Sequence, residues 1–245
     1  MNVEPVIMSI GIPTLRTANE RQSQRVSNPC KMHRVHARAC AGVDGMMDQS
    51  GASPKLLPLS DGVTGGESLI LVDDDDREVG HASRARCHEG SGLLHRAFSL
   101  FIFNGRGELL IQQRAAGKRL WPLYWSNSCC SHPRQAESMD VAIHRRLNEE
   151  LGLKCPLQFL FKFKYQAQFD GSGAEHELCS VFIGRSAAPV RVNGAEVTAW
   201  RWIGPEALDA EMRDAGTACF TPWFTQEWER IGLDHQAAVR ALVHG

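Results

Sequence analysis

Every large aromatic side chain of this protein lies at or beyond Phe98: ten Phe, six Trp and two Tyr follow that point and none precedes it. Aromatic rings supply much of the apolar surface a domain can bury, so the core must be assembled from the part of the chain that holds them. Residues 1–65 contrast with it. They are rich in Ser, Gly, Pro and Arg, carry five of the seven methionines, and sustain neither strand nor helix periodicity. Such a stretch has little with which to offset the entropy of ordering its backbone, and it reads as a mostly disordered extension. The 245 residues therefore divide into that extension and one folded domain over 66–245.

Lys plus Arg total 27 against 28 Asp plus Glu. The balance argues against nucleic acid as a partner held by bulk charge, so an anionic ligand must be held by a local site. No stretch reaches the roughly 18 apolar residues of a membrane span. Eight cysteines without a signal-peptide pattern ahead of them point to reduced thiols and a cytoplasmic location, and adjacent Cys129 and Cys130 fit a disulfide framework poorly. Arg16, Arg21, Arg25, Arg34 and Arg38 would suit organelle import, but Glu4 and Glu20 interrupt them. Cys30, His33, His36 and Cys40 match no standard zinc-finger spacing.

From Ser68 the patterning becomes regular. Ser68 to Val72 is a short apolar run stopped by Asp73 to Asp76, which reads as a strand and a solvated turn. Ala97 to Phe103 and Leu109 to Gln113 flank Asn104-Gly105-Arg106-Gly107 as two strands around a Gly-rich turn. Phe159, Phe161, Phe163, Tyr165, Ala167 and Phe169 alternate with more polar neighbours, the mark of a half-buried strand. Val181 to Ile183 and Thr198 to Ile203 add further strands. Helices are expected from about Ala136 to Leu151, stopped by Gly152, from Pro205 to about Arg213, and from Pro222 to the C-terminus. Strands, helix, strands, helices in that order indicate an α+β fold.

His88, His95 and His132, with Glu175 and Glu177, form a mixed imidazole and carboxylate set of the kind that binds Zn²⁺ or Mn²⁺. In a strand, Glu175 and Glu177 point to one face and His176 to the other. Taken singly, each of these residues reads equally as a solvated surface group. Cys130, two residues before His132, is either a buried structural thiol or a reactive acid or base. Arg146 and Glu150 share a helix face; they form a salt bridge, or they meet an anionic oxygen and Mg²⁺ on one phosphate group, with Arg84, Arg114 and Lys118 completing the site.

Ser131, Glu137 and the run Arg145-Arg146-Leu147-Asn148-Glu149-Glu150-Leu151-Gly152-Leu153 together resemble a degenerate Nudix box. Ser131 stands where that box opens with Gly. Arg146 stands where Nudix hydrolases carry a carboxylate around catalytic Mg²⁺, which counts against ordinary nucleoside-diphosphate hydrolysis. Gly92-Leu93-Leu94-His95-Arg96-Ala97-Phe98-Ser99, Leu110-Ile111-Gln112-Gln113-Arg114, Trp125-Ser126-Asn127-Ser128-Cys129-Cys130-Ser131-His132-Pro133 and Gly173-Ala174-Glu175-His176-Glu177 are similar, in family order, to type 1 isopentenyl-diphosphate isomerases. The similarity runs from about residue 66 to the end.

The resemblance implies a Nudix-like mixed sheet flanked by helices and an enzyme that interconverts isopentenyl and dimethylallyl diphosphate, a step of isoprenoid biosynthesis. It implies Cys130 and Glu177 as the catalytic pair, Tyr165 as a relay at the carboxyl, and Trp223 as an aromatic facing a carbocation. Arg84, where the family more often carries Lys, would hold the diphosphate with Arg114, Lys118 and Arg146. Mg²⁺ would bridge the diphosphate to Glu150. His88, His95, His132, Glu175 and Glu177 would hold a second divalent metal, Mn²⁺ or Zn²⁺. The partner is a small prenyl diphosphate and the assembly a monomer or homodimer. A Nudix-type diphosphate hydrolase and a catalytically inactive metal-binding scaffold stand as the alternatives.

Overall fold

The computed structural model describes residues 67–215 and 219–245. The readings made for residues 1–65, including the Cys30 to Cys40 cluster, lie outside the described residues. The elements run β1 Ser68–Val72, β2 Glu78–Ser83, α1 Arg84–Cys87, β3 His95–Phe103, β4 Leu109–Arg114, β5 Trp125–Ser126 and β6 Cys129–Ser131. Then follow α2 Met139–Leu151, β7 Leu157–Phe169, β8 Gly173–Arg185, β9 Val197–Ile203, α3 Pro205–Ala215, α4 Pro222–Asp234 and α5 Gln236–His244.

β3 organises a mixed sheet. It runs parallel to β8, antiparallel to β6, and touches β1 and β4 through one pair each. β7 is antiparallel to β8, and β9 and β5 are antiparallel to β4. Because side chains alternate along a strand, β3 presents Phe98, Leu100 and Ile102 to one face, where Ile143, Leu147 and Leu151 of α2 cover them. Ala97, Phe101 and Phe103 face the other way, with Cys179, Val181 and Ile183 of β8, onto Trp223, Phe224 and Trp228 of α4 and Val243 of α5. Each such large side chain contributes about 1.5–3 kcal/mol on burial. The arrangement is α+β, as the element order indicates, and no described helix is long and apolar enough to cross a membrane.

Sequence and structure part in several places: the strand expected at Val181 to Ile183 extends over Gly173–Arg185, and α1 was not expected. The two strands expected around Asn104 to Gly107 make only the Phe103–Leu109 pair before they separate. The Ser128 hydroxyl sits between them, accepting from the Ile102 N–H at 2.8 Å and donating to the Leu110 carbonyl at 2.6 Å. The alternation in β7 breaks at a register shift between Phe159 and Phe161, which leaves Phe159 51% exposed while Phe161 is buried. α2 starts at Met139, capped by the Ser138 hydroxyl, three residues later than expected. The C-terminal helix is two helices: the His235 N–H closes α4 on the Ile231 carbonyl, and its ring stacks on Phe161 at 4.9 Å. The short strands β5 and β6 carried no periodicity to read.

Candidate active site

Strand register brings the candidate residues together. The parallel β3–β8 ladder sets His95 beside Glu177, and the antiparallel β7–β8 ladder sets Tyr165 opposite the same Glu177. β6 pairs Cys130 with Ser99, and His132 follows directly after that strand. His88 follows α1, where Ala174 N–H donates to its carbonyl at 3.1 Å. Gly173 makes this approach possible. Its φ is +151° and a Cβ there would come within 2.2 Å of the His88 oxygen.

The five expected metal ligands converge. One ligand atom from each of His88, His95, His132, Glu175 and Glu177 lies within 4.8 Å of all the others, and all five residues are buried. His132 Nε2 is 2.8 Å from Glu177 Oε1, and His95 Nε2 is 3.7 Å from the same oxygen. The far ring nitrogens are held by carbonyls: His88 Nδ1 meets Arg84 O at 2.6 Å and His95 Nδ1 meets Leu93 O at 2.7 Å. Donation from Nδ1–H fixes the tautomer that leaves an Nε2 lone pair pointing inward. Two inward atoms complete no hydrogen bond, His95 Nε2 and Glu175 Oε2, although the latter lies 2.7 Å from His88 Nε2. Lone pairs aimed at lone pairs in a buried site fit a cation between them, so the residues present suit a divalent metal. Burial, then the neighbouring imidazoles, holds His95 well below the usual histidine range; burial, then His88 and Arg84, does the same for His132. Burial also raises Glu177.

Beside this cluster lie the acid/base candidates. The Cys130 thiol donates to Asn127 Oδ1 at 2.7 Å and accepts from the Trp223 indole N–H at 3.0 Å. Asn127 is fully buried, and both carbonyls its amide reaches, Leu100 O and Cys129 O, fix which way its oxygen points. Trp223 is placed by the start of α4, where Thr221 N–H donates to Trp125 O at 2.9 Å and the Thr221 and Ser126 hydroxyls meet at 3.0 Å. Burial, with the charge of Glu227 adding to it, pushes the Cys130 thiol up to about 12. The Tyr165 hydroxyl donates to Glu177 Oε2 at 2.7 Å, and burial, then Glu177, drives its pKa well above the usual phenol range.

A cavity of about 430 Å³ opens beside His88 and Glu175, lined by Arg84, Arg114 and Lys118. Arg114 is anchored to the Trp121 and Leu120 carbonyls and lies 5.3 Å from the Trp223 ring centre. Arg146 does not line the cavity. It is a buried residue of α2, 2.5 Å from Glu150, 3.0 Å from Glu149 and 3.1 Å from Glu196. Glu150 lies outside the five-ligand cluster; its second oxygen is 3.4 Å from Gln112.

A family model for the NUDIX domain matches residues 93–224. The isopentenyl-diphosphate Delta-isomerase of Burkholderia multivorans is 46% identical over 167 residues, 68% of this chain and 94% of that protein. The chain belongs to the isopentenyl-diphosphate Delta-isomerase family. Within this family, isopentenyl-diphosphate Delta-isomerase 1 of Photorhabdus laumondii is 43% identical over 171 residues, 69% of this chain and 97% of its own. The fold is shared with the DR0079 protein of Deinococcus radiodurans, whose crystal structure superposes with a TM-score of 0.55 at 24% identity over 67% of this chain and 98% of that one.

Four residues of this isomerase-family site escaped the sequence reading. Glu196 pairs with both Lys118 and Arg146, which hold its carboxyl down at about 2 against the opposing effect of burial. Arg119 lines the cavity and donates to the Ser172 carbonyl at 2.8 Å. Asn127 and Ser99 both contact Cys130. A Glu before a strand or a Ser within one has no distinguishing spacing, so only the register could reveal them.

Proposed function

We propose that this protein interconverts isopentenyl diphosphate and dimethylallyl diphosphate. The observation that carries the reading is the pairing of Cys130, under the Trp223 indole, with the buried Tyr165–Glu177 unit, next to a cationic cavity whose lining of Arg84, Arg114 and Lys118 includes His88 and Glu175 and whose Arg114 lies 5.3 Å from the Trp223 ring. The reaction protonates a terminal methylene, passes through a tertiary carbocation, and removes a proton from the neighbouring methylene. It therefore needs two proton-transfer groups flanking an apolar chain. Cys130 supplies one, Glu177 with Tyr165 the other. Burial raises both groups above their ordinary ranges, which suits groups that exchange protons with carbon rather than with water. Trp223 offers a π-face to the cation without a nucleophilic atom that would trap it.

Arg84, Arg114 and Lys118 bind the diphosphate, and Arg146 acts from behind through Glu196. His88, His95, His132, Glu175 and Glu177 would hold Mn²⁺ or Zn²⁺, and Glu150 would take Mg²⁺ with the diphosphate. When bound, such ions neutralise charge and fix the carboxylates in place. The test is incubation of the purified protein with isopentenyl diphosphate in heavy water. Dimethylallyl diphosphate with deuterium on carbon is expected, and phosphate release without double-bond migration would overturn the reading in favour of a hydrolase.

A further inference from the structure

Four carboxyl side chains are buried among the described residues: Glu150, Glu175, Glu177 and Glu227. The first three are candidate metal ligands. Glu227 has no task in the chemistry above, yet it is 0% exposed and sits one helical turn beyond Trp223 on the same face of α4. The groups facing it are Ser99 from β3, Cys179 and Glu177 from β8, and Cys130 from β6. None is a cation. Glu227 Oε1 accepts from the Cys179 thiol at 3.5 Å, with Ser99 as the other polar neighbour of the carboxyl, while Oε2 has no partner. Ser99 Oγ in turn lies 3.5 Å from Cys130 Sγ and 3.5 Å from Cys179 Sγ. One hydroxyl thus stands between the buried carboxyl and the sulphur of the acid/base candidate.

We propose that Glu227 is a positioning residue for the isomerisation proposed above, on which this inference rests: it fixes the Ser99 hydroxyl, and through it the Cys130 sulphur. A neutral carboxyl both donates and accepts, so it orients Ser99 in a way a carboxylate cannot. Burial pushes Glu227 up to about 8 against the hydrogen bonds of Ser99 and Cys179, with the charge of Glu177 adding to the rise. Ionisation above that pH places an unpaired charge beside the thiol and undoes the arrangement.

The test measures kcat, KM and thermal midpoint from pH 5 to 9 for wild type, Glu227→Gln, Glu227→Leu, Ser99→Ala and the Leu/Ala double variant. Glu227→Leu and Ser99→Ala should each lower kcat about tenfold with KM within about twofold, and the double variant should be no worse than either, because all three break one chain of contacts. Glu227→Gln should rescue kcat to within about threefold at neutral pH and lack the fall seen in wild type above about pH 8. Its thermal midpoint should equal that of wild type near pH 5 and exceed it by pH 8, a readout independent of turnover. Wild-type kcat in both Glu227→Leu and Ser99→Ala, or multiplied losses in the double variant, would overturn the role of Glu227. Should Glu227→Leu not fold, Ser99→Ala and Glu227→Gln carry the same decision. A wild-type protein that turns over no isopentenyl diphosphate would instead overturn the proposed function, and the midpoints would still report whether Glu227 is neutral.

Discussion

His95 and Glu177 are partners across the parallel β3–β8 ladder, with Nε2 and Oε1 3.7 Å apart and His132 Nε2 closing on the same oxygen at 2.8 Å. Parallel pairing fixes this relationship, so His95, Glu175 and Glu177 belong to the sheet itself, while His88 and His132 come from the segments that follow α1 and β6. The geometry of this set leads to the first prediction. Untreated protein should contain about one Zn²⁺ or Mn²⁺ per chain by elemental analysis. His132→Ala should lose most of it, whereas Glu150→Gln should keep it and need more Mg²⁺ for activity. Equal metal content in wild type and His132→Ala would refute a five-ligand site.

Cys130 and Glu177 should be indispensable to turnover. Cys130→Ala and Glu177→Gln are each expected to lower kcat by about a thousandfold or more while the far-ultraviolet circular dichroism stays unchanged. Tyr165→Phe should cost less, about tenfold, because water can carry part of a relay. Near wild-type turnover in either of the first two variants would remove that residue from the mechanism.

Glu196 ties Lys118 to Arg146, and its folded-state pKa is held down at about 2 by those cations against burial. A carboxyl whose pKa falls on folding stabilises the fold above its unfolded value near 4.5, and this contribution is lost as pH falls through that value toward 2. Glu196→Gln should therefore lower the thermal midpoint at pH 7, and the gap to wild type should narrow as the pH drops below about 4.5 in calorimetry. A gap that does not depend on pH would mean that packing, not charge, explains the loss.

Residues 1–65 should be dispensable for the chemistry. A chain beginning at Gly66 retains every element of the fold described above and is expected to match the full-length protein in thermal midpoint and kcat, with any targeting role appearing as altered location in cells. A large fall in either quantity would assign the segment to the core or to closure of the site.

Much of the site was legible before any fold was known, because its chemistry demands particular residue types. Imidazoles, paired carboxylates two apart in a strand, a thiol beside a histidine and an arginine four residues from a glutamate each limit what they can bind, and their order along the chain carries the family likeness. The stop of α2 at Gly152 and the turn after β1 at Asp73 to Asp76 were equally local matters, whereas the Ser138 cap and the break at His235 were not read. Spacing alone could not say which of these residues would meet; only the family resemblance grouped them.

Tertiary structure alone decided the meetings, since they depend on register, and a shift of one residue would turn Glu177 to the opposite face. Register placed Tyr165 on Glu177 and Ser99 on Cys130; the bulge at Leu160 turned Phe159 outward; the Ser128 hydroxyl parted β3 from β4. It also buried Arg146 behind Glu196 rather than in the cavity, and sealed Glu227 beneath Ser99, where an ordinary surface residue of a helix becomes a carboxyl without water. Residue type determined what each group can do; long-range pairing, which no local pattern encodes, determined where each does it.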